Sequence, residues 1–251
     1  MKIALCLSGQ PRGLTKNIDH LIANIIEPSG IKDIFIHMWF DESFVGLPFT
    51  TAQPAQFGKL GYWEADTVDK LKKLKPKYML VEPPKLFEEF SNLEAPESAV
   101  QPHIASNAYS IEQCNLLKCK YEKINNFKYD IVIRTRVDCL YEKPYDVKQY
   151  LDDDWKNSIH VAYKHQHMRY DDIEAKRYST KNGEYYGSLS DTFVYGFSNT
   201  IDKFCSVFSN FKNIYNDIIP NAYGECYYGY QITKTHKVNI SMQNINYILT
   251  R

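Results

Sequence analysis

Two short clusters in the 251-residue chain bring together residue types suited to holding an anion. The first is Ser8-Gly9-Gln10-Pro11-Arg12-Gly13. Glycine lets a ligand approach the backbone, the start of a following helix favours negative charge, and Arg12 offers a forked donor to a phosphate. The cluster matches neither the Walker A pattern nor G-x-G-x-x-G, so P-loop and dinucleotide assignments fail. An ordinary strand-to-helix turn is its plain alternative. The second cluster, Arg134-Thr135-Arg136-Val137-Asp138, places two cations and a carboxylate at the end of an apolar run, where charge is costly unless paired or used. The chain has six arginines, Arg12, Arg134, Arg136, Arg169, Arg177 and Arg251, and two of them fall within three residues. That concentration points to planar, forked donors, which lysine does not supply. A structural Arg–Asp pair closing the strand accounts for the same residues without a ligand.

The elements that carry these clusters follow from hydrophobic spacing. An apolar run at 2–7 reads as a strand that breaks at Ser8. Leu14, Ile18, Leu21, Ile22, Ile25 and Ile26 then recur at helical spacing until Pro28. Residues 33–40 form a nearly continuous apolar run, expected of a strand buried on both faces. A long loop over 41–64, a helix over 66–74, a strand over 77–82 and a Pro-rich connection through Pro102 follow. A helix over 104–124 feeds the strongest strand signal, 129–133. Strands near 158–163, 192–195 and 238–248 complete the pattern, with a polar loop over 164–188 and helices near 198–211, capped by Ser198, and near 223–235. This alternation predicts an α/β fold with a mostly parallel central sheet flanked by helices, in one Rossmann-like domain. In such sheets ligands bind beyond the carboxyl ends of the strands, which is where both clusters fall.

Composition narrows the partners. Thirty Lys+Arg balance thirty Asp+Glu, so neither the basic excess of nucleic-acid binders nor an acidic solvating character is present. The apolar stretch at the N-terminus is too short for a signal peptide, and no stretch approaches the roughly 20 apolar residues of a transmembrane segment. Cys6, Cys114, Cys119, Cys139, Cys205 and Cys226 include no C-x-x-C pair and read as buried thiols of a reducing compartment, which predicts a cytoplasmic protein. His165 and His167 alternate without a partner cluster and are weak metal candidates.

The combination of KIALCLSGQPR, YDIVIRTRVD and SDTFVYGFSNTIDKF resembles the GT-A glycosyltransferases of bacterial surface polysaccharides and of large DNA viruses, over most of the chain to about Glu225. The resemblance implies one GT-A-like domain over 1–251, with a nucleotide-sugar-binding half at 1–140 and an acceptor-side half at 141–251. It implies transfer of a sugar from a nucleotide-diphosphate donor to a hydroxyl of a glycan or glycolipid acceptor, in surface or capsid glycan synthesis. The family's usual Asp-x-Asp, which holds a divalent cation against the donor diphosphate, is here Arg136-Val137-Asp138. Asp138 could still bind Mn2+ or Mg2+, since these accept few protein ligands; alternatively Arg136 takes over part of the charge neutralisation.

Under the same resemblance, Ser8, Gly9, Gln10, Arg12, Arg134 and Arg136 would hold the nucleotide and diphosphate. Asp191 would face the acceptor as a base if the reaction inverts, or merely cap its loop. Glu225 is a second candidate for the base or for an acceptor contact, with a solvated helix face as the bland alternative. Trp39, on the same strand face as His37, could border the nucleotide base or be a core aromatic. His236 could be a late metal ligand or could serve the helix dipole. Tyrosines near 170, 185 and 227 could stack on sugar rings. Two rivals stand beside the enzyme: a non-catalytic nucleotide- or glycan-binding module on the same fold, and a methyltransferase, which the absence of a glycine-rich first loop disfavours.

Overall fold

Apolar runs buried on both faces build the centre of the molecule, a computed structural model that describes residues 1–46, 63–90, 101–151, 153–162, 180–184, 186–218, 224–245 and 247–249. β1 (Ile3–Gly9), β2 (Asp33–Trp39), β3 (Tyr78–Glu82) and β4 (Ile131–Arg136) pair in parallel in the order 3-2-1-4. Three short strands extend this sheet beyond β4. They are β6 (Ser158–Ala162), β7 (Phe193–Gly196) and β8 (Asn239–Gln243), in the order 4-7-6-8, and only β7 runs against its neighbours. β5 (Cys139–Tyr141) and β9 (Tyr247–Leu249) form a separate two-stranded antiparallel sheet. The chain therefore has the expected α/β architecture, a seven-stranded, mostly parallel sheet flanked by helices. Strands from 1–140 and from 141–251 share that one sheet.

Side-chain alternation assigns the two faces. Ala4, Cys6, Phe35 and Val132 pack against Ala105, Ala108, Ile111 and Cys114 of the 24-residue helix Gln101–Ile124. On the opposite face Leu5, Leu7, Ile36 and Ile133 meet Leu14, Ile18 and Leu21 of the helix Leu14–Leu21. Alternation from Val132 puts Arg134 and Arg136 on the face covered by the long helix.

The structure departs from sequence expectation at several boundaries. β4 starts later and continues to Arg136, so both arginines lie inside the strand. The long helix begins at Gln101 and takes Pro102 into its first turn, where a missing N–H costs nothing. Ser198 does not cap a helix: it is the first residue of Ser198–Cys205, whose preceding residue is Phe197, and its hydroxyl donates to Glu122 at 2.6 Å. A second helix, Phe211–Asp217, follows separately, and the single final strand is instead β8 and β9 in different sheets. The helix near 223–235 is Gly224–Tyr230 followed by a π-turn, Gln231–Thr235. Most of the long loop over 41–64 and of the polar loop over 164–188, with His165, His167, Tyr170 and Tyr185, lies outside the described residues.

A buried charge network joins the long helix to Ser198–Cys205. Lys118, fully buried, donates to Ser198 and Asp202 at 2.6 Å and pairs with Glu122 at 3.2 Å, and Lys128 closes the network on Glu122 and Asp202. Cys119, Glu122 and Asp202 lie close enough together to suggest a metal site. Two ammonium groups already neutralise these carboxylates, and burial pushes the Cys119 thiol up to about 12, so the cluster is a salt-bridge network. Removing one partner of such a network strands the others in low dielectric. Lys118→Ala is expected to lower stability by about 3 kcal/mol, read from the urea midpoint at unchanged m-value.

Candidate functional site

The strand order reverses direction of growth at β1, between β2 on one side and β4 on the other, so the carboxyl ends of β1 and β4 flank the crevice where open α/β sheets bind ligands. Register places Ser8 beside Arg136 on β4 and beside His37 on β2, so the three belong to one row of one face. Gly9 ends β1 at φ +118°, a backbone conformation that side chains rarely adopt, and this explains glycine there. Gly13, at φ +60°, opens the following helix, and between them the Arg12 guanidinium donates to the Gln10 side-chain oxygen. The first cluster is thus a tight strand-to-helix turn with its cation partly buried at the rim.

The second cluster is deeper. Arg134 is fully buried; its Nη2 donates to Ser8 Oγ at 3.2 Å, while its Nε and Nη1 have no hydrogen-bond partner among the described residues. Arg136, 24 % exposed at its side chain, forks onto Asp138: Nε donates to Oδ1 at 2.8 Å and Nη2 to Oδ2 at 2.5 Å. Asp191 approaches both guanidinium groups with one oxygen, 3.9 Å from Arg134 Nη1 and 3.8 Å from Arg136 Nη1, too far for hydrogen bonds. The same oxygen accepts from Asn107 Nδ2 at 2.6 Å. Burial opposes the charge on Asp191, but Arg136, then Arg134, then Asn107 hold its carboxyl below the usual carboxylate range.

Several segments fix this carboxylate. Because β7 runs antiparallel to β4, the residues entering β7 stand beside those leaving β4. Thr192 is bound through its carbonyl by Thr135 Oγ1 at 2.8 Å and through its hydroxyl to Ser190 and Tyr247. Leu189 N–H donates to the Glu225 carbonyl at 3.0 Å, which ties the approach to Asp191 to the helix Gly224–Tyr230. On that helix a Cβ at Gly229 would come within 2.3 Å of the Gly187 carbonyl oxygen, so glycine is required for the close approach. Glu225 is half-buried, and its charge acts on the neighbouring Tyr228 phenol.

The structure thus brings Ser8, Arg134, Arg136, Asp138 and Asp191 together, with Asn107 as a partner that sequence reasoning missed. Four residues before it on the helix stands His103, whose affinity for a proton is lowered first by desolvation and then by the charge of Arg12. A polar pair at i, i+4 beside the apolar Ile104, Ala105 and Ala108 was the available signal.

Trp39 belongs to an adjoining cluster. It is 2 % exposed, stacked on Tyr109 at 5.5 Å and edge-on to His37 at 4.8 Å, so Tyr109 already occupies one ring face. Its indole N–H has no partner among the described residues. His37 Nδ1 meets Ser110 Oγ at 2.8 Å, and Nε2 meets Glu82 Oε2 at 2.9 Å. Lys85 pairs with Glu82 and lies over the Tyr109 ring at 5.1 Å. His236 stands elsewhere, its Nε2 3.1 Å from the Gln231 side chain, and burial lowers its proton affinity.

The Mn2+ or Mg2+ expected at Asp138 finds a poor donor set. Both Asp138 oxygens are engaged by the Arg136 fork, the residue is 2 % exposed, and the nearby carboxylate, Asp191, is itself shared by two guanidinium groups. A divalent cation there would enter the repulsive field of Arg134 and Arg136. The residues as arranged do not fit the ion.

No family model matches the chain, and no curated protein matches it at a significant level.

Two outcomes follow from this geometry. Asp191→Asn leaves Arg134 without a carboxylate while Asp138 still neutralises Arg136; stability is expected to fall by about 3 kcal/mol, with part of the lost melting temperature recovered in millimolar phosphate. His37 has its proton affinity lowered chiefly by burial, with Glu82 opposing. The unfolded chain therefore protonates first, and the stability His37 contributes is complete above about pH 6.5 and lost as pH falls below it. An NMR titration should place His37 below 6.5, and Glu82→Gln should lower it further.

Proposed function

We propose that this chain is a glycosyltransferase that moves a sugar from a nucleotide-diphosphate donor to a hydroxyl of a glycan or glycolipid, and that it does so without a divalent cation. The observation that carries the reading is Arg134: a fully buried guanidinium whose Nε and Nη1 make no hydrogen bond among the described residues, standing where the strand order changes at the carboxyl ends of β1 and β4. A buried cation with unused donors favours an anionic ligand, since each charge-assisted hydrogen bond is worth roughly 1.5–3 kcal/mol. The Ser8–Gly13 turn beside it and the resemblance of KIALCLSGQPR and YDIVIRTRVD to the GT-A enzymes make a nucleotide diphosphate the preferred anion.

In this reading the bond between the anomeric carbon and the diphosphate oxygen breaks, and its electron pair leaves with the nucleoside diphosphate. The acceptor oxygen forms the new bond to that carbon and gives up its proton. Arg134 and Arg136 stabilise the charge that develops on the leaving group. Asp191, kept ionised by those same arginines, is the group placed to take the proton. A diphosphate at the guanidinium groups would withdraw part of their stabilisation from Asp191 and raise its basicity once the donor is bound. Asp138 holds the Arg136 fork in place. Glu225 has no role in this scheme beyond its charge beside Tyr228.

The test is a panel of nucleotide-sugars incubated with the protein, in Mn2+ or in EDTA, with nucleoside-diphosphate release followed by chromatography. Release is expected from at least one donor, undiminished by EDTA, and at least tenfold slower in Arg134→Lys, which keeps the charge but loses the fork. Tight binding without release from any donor and acceptor would instead make the chain a binding module. Turnover that needs Mn2+ would restore the cation to Asp138.

A further inference from the structure

A third buried donor that makes no hydrogen bond among the described residues lies on the helix Gly224–Tyr230, which is tied to the segment leading into Asp191. Tyr228, on the helix Gly224–Tyr230, is 1 % exposed, and its hydroxyl has no hydrogen-bond partner among the described residues. A buried phenol without a partner is unusual, because leaving the hydroxyl unsatisfied costs about as much as a lost hydrogen bond. Its ring is held from one side by Phe204, stacked at 4.7 Å and 21°. Its helix is pinned to the segment leading into Asp191 by the Leu189–Glu225 backbone bond, by Thr233 Oγ1 donating to the Tyr186 carbonyl at 3.0 Å, and by the Gly229–Gly187 approach. The helix that carries the phenol is therefore fixed on this segment.

We infer that Tyr228 is a binding residue of the same site: its hydroxyl donates to the anion that Arg134 Nε and Nη1 hold, so that a guanidinium and a phenol together form a cradle for the diphosphate. The inference rests on the diphosphate reading of the site and adds a residue to it. Three unpartnered donor groups, on β4 and on a helix more than 90 residues later, are then satisfied by one ligand. Burial, then the charge of Asp191, disfavours ionisation of the phenol, while Arg134 opposes this. The balance keeps the group protonated and so a donor. A neutral donor beside a cation suits an oxygen that shares its negative charge, as in a phosphate.

The test uses inorganic pyrophosphate as the probe and the full chain in EDTA, with binding measured by calorimetry. Tyr228→Phe keeps the ring and its stacking on Phe204 and removes only the hydroxyl. It is expected to melt no lower than the unaltered protein, since it deletes an unsatisfied polar group, yet to bind pyrophosphate five- to tenfold more weakly. Arg134→Lys should weaken the same binding, and the double variant should lose less than the product of the two single effects, because the two donors share one ligand. Unchanged pyrophosphate affinity in Tyr228→Phe would overturn the inference while leaving the arginine site intact. Absence of pyrophosphate binding to the unaltered protein would overturn both. Binding that depends on Tyr228, with no sugar released from any donor, would uphold the cradle and overturn the transferase reading.

Discussion

Ending a buried strand on two guanidinium groups obliges the rest of the fold to supply negative charge. Arg134 and Arg136 sit on β4 because an apolar strand delivers them there, and in a low-dielectric interior neither is tolerable alone. Asp138 answers locally, two residues on, by closing a bidentate fork onto Arg136. Arg134 has no such neighbour in sequence, and its compensation must come from across the molecule. The reversal of β7 achieves this. A strand running the other way starts at the edge where β4 stops, and so brings Asp191 to within 4 Å of both cations. The long helix Gln101–Ile124 then binds the carboxylate through Asn107, and the helix Gly224–Tyr230 holds the segment leading to it through the Glu225 carbonyl.

That compensation is incomplete in an instructive way. A carboxylate in hydrogen-bond contact with Arg134 would neutralise it outright; one at 3.9 Å neutralises its charge at a distance while leaving Nε and Nη1 without a hydrogen bond among the described residues. Charge balance and hydrogen-bond satisfaction are separate requirements, and only the first is met. Protein interiors rarely leave the second unmet without a use for it.

Much of this was readable from the chain. The break from apolar strand to SGQPRG, the apolar run before RTRVD and the alternation of strands and helices sufficed for the α/β sheet and for the two clusters at its carboxyl edge. Periodicity reports burial, however, and says little about partners. The resemblance to Asp-x-Asp enzymes offered Asp138 as a ligand for a cation, whereas local geometry gives both its oxygens to Arg136. Pro102 read as the end of a Pro-rich connection, although proline is at home in the first turn of a helix, and this hid the start of the long helix. Strands of three residues, such as β5 and β9, carry too little alternation to be seen, and their pairing spans more than 100 positions. Tyr228 differs from other helix residues only in what stands opposite it, which no single sequence records.

The anchoring of Thr192 has a bearing on how such a site discriminates. With one residue between Asp191 and the first residue of β7, and with that residue held through its carbonyl, its amide and its hydroxyl, the carboxylate has no slack with which to follow an incoming molecule. Selectivity at that position is consequently a matter of steric admission, set before any contact forms: a molecule whose hydroxyl cannot reach a stationary oxygen is refused at entry.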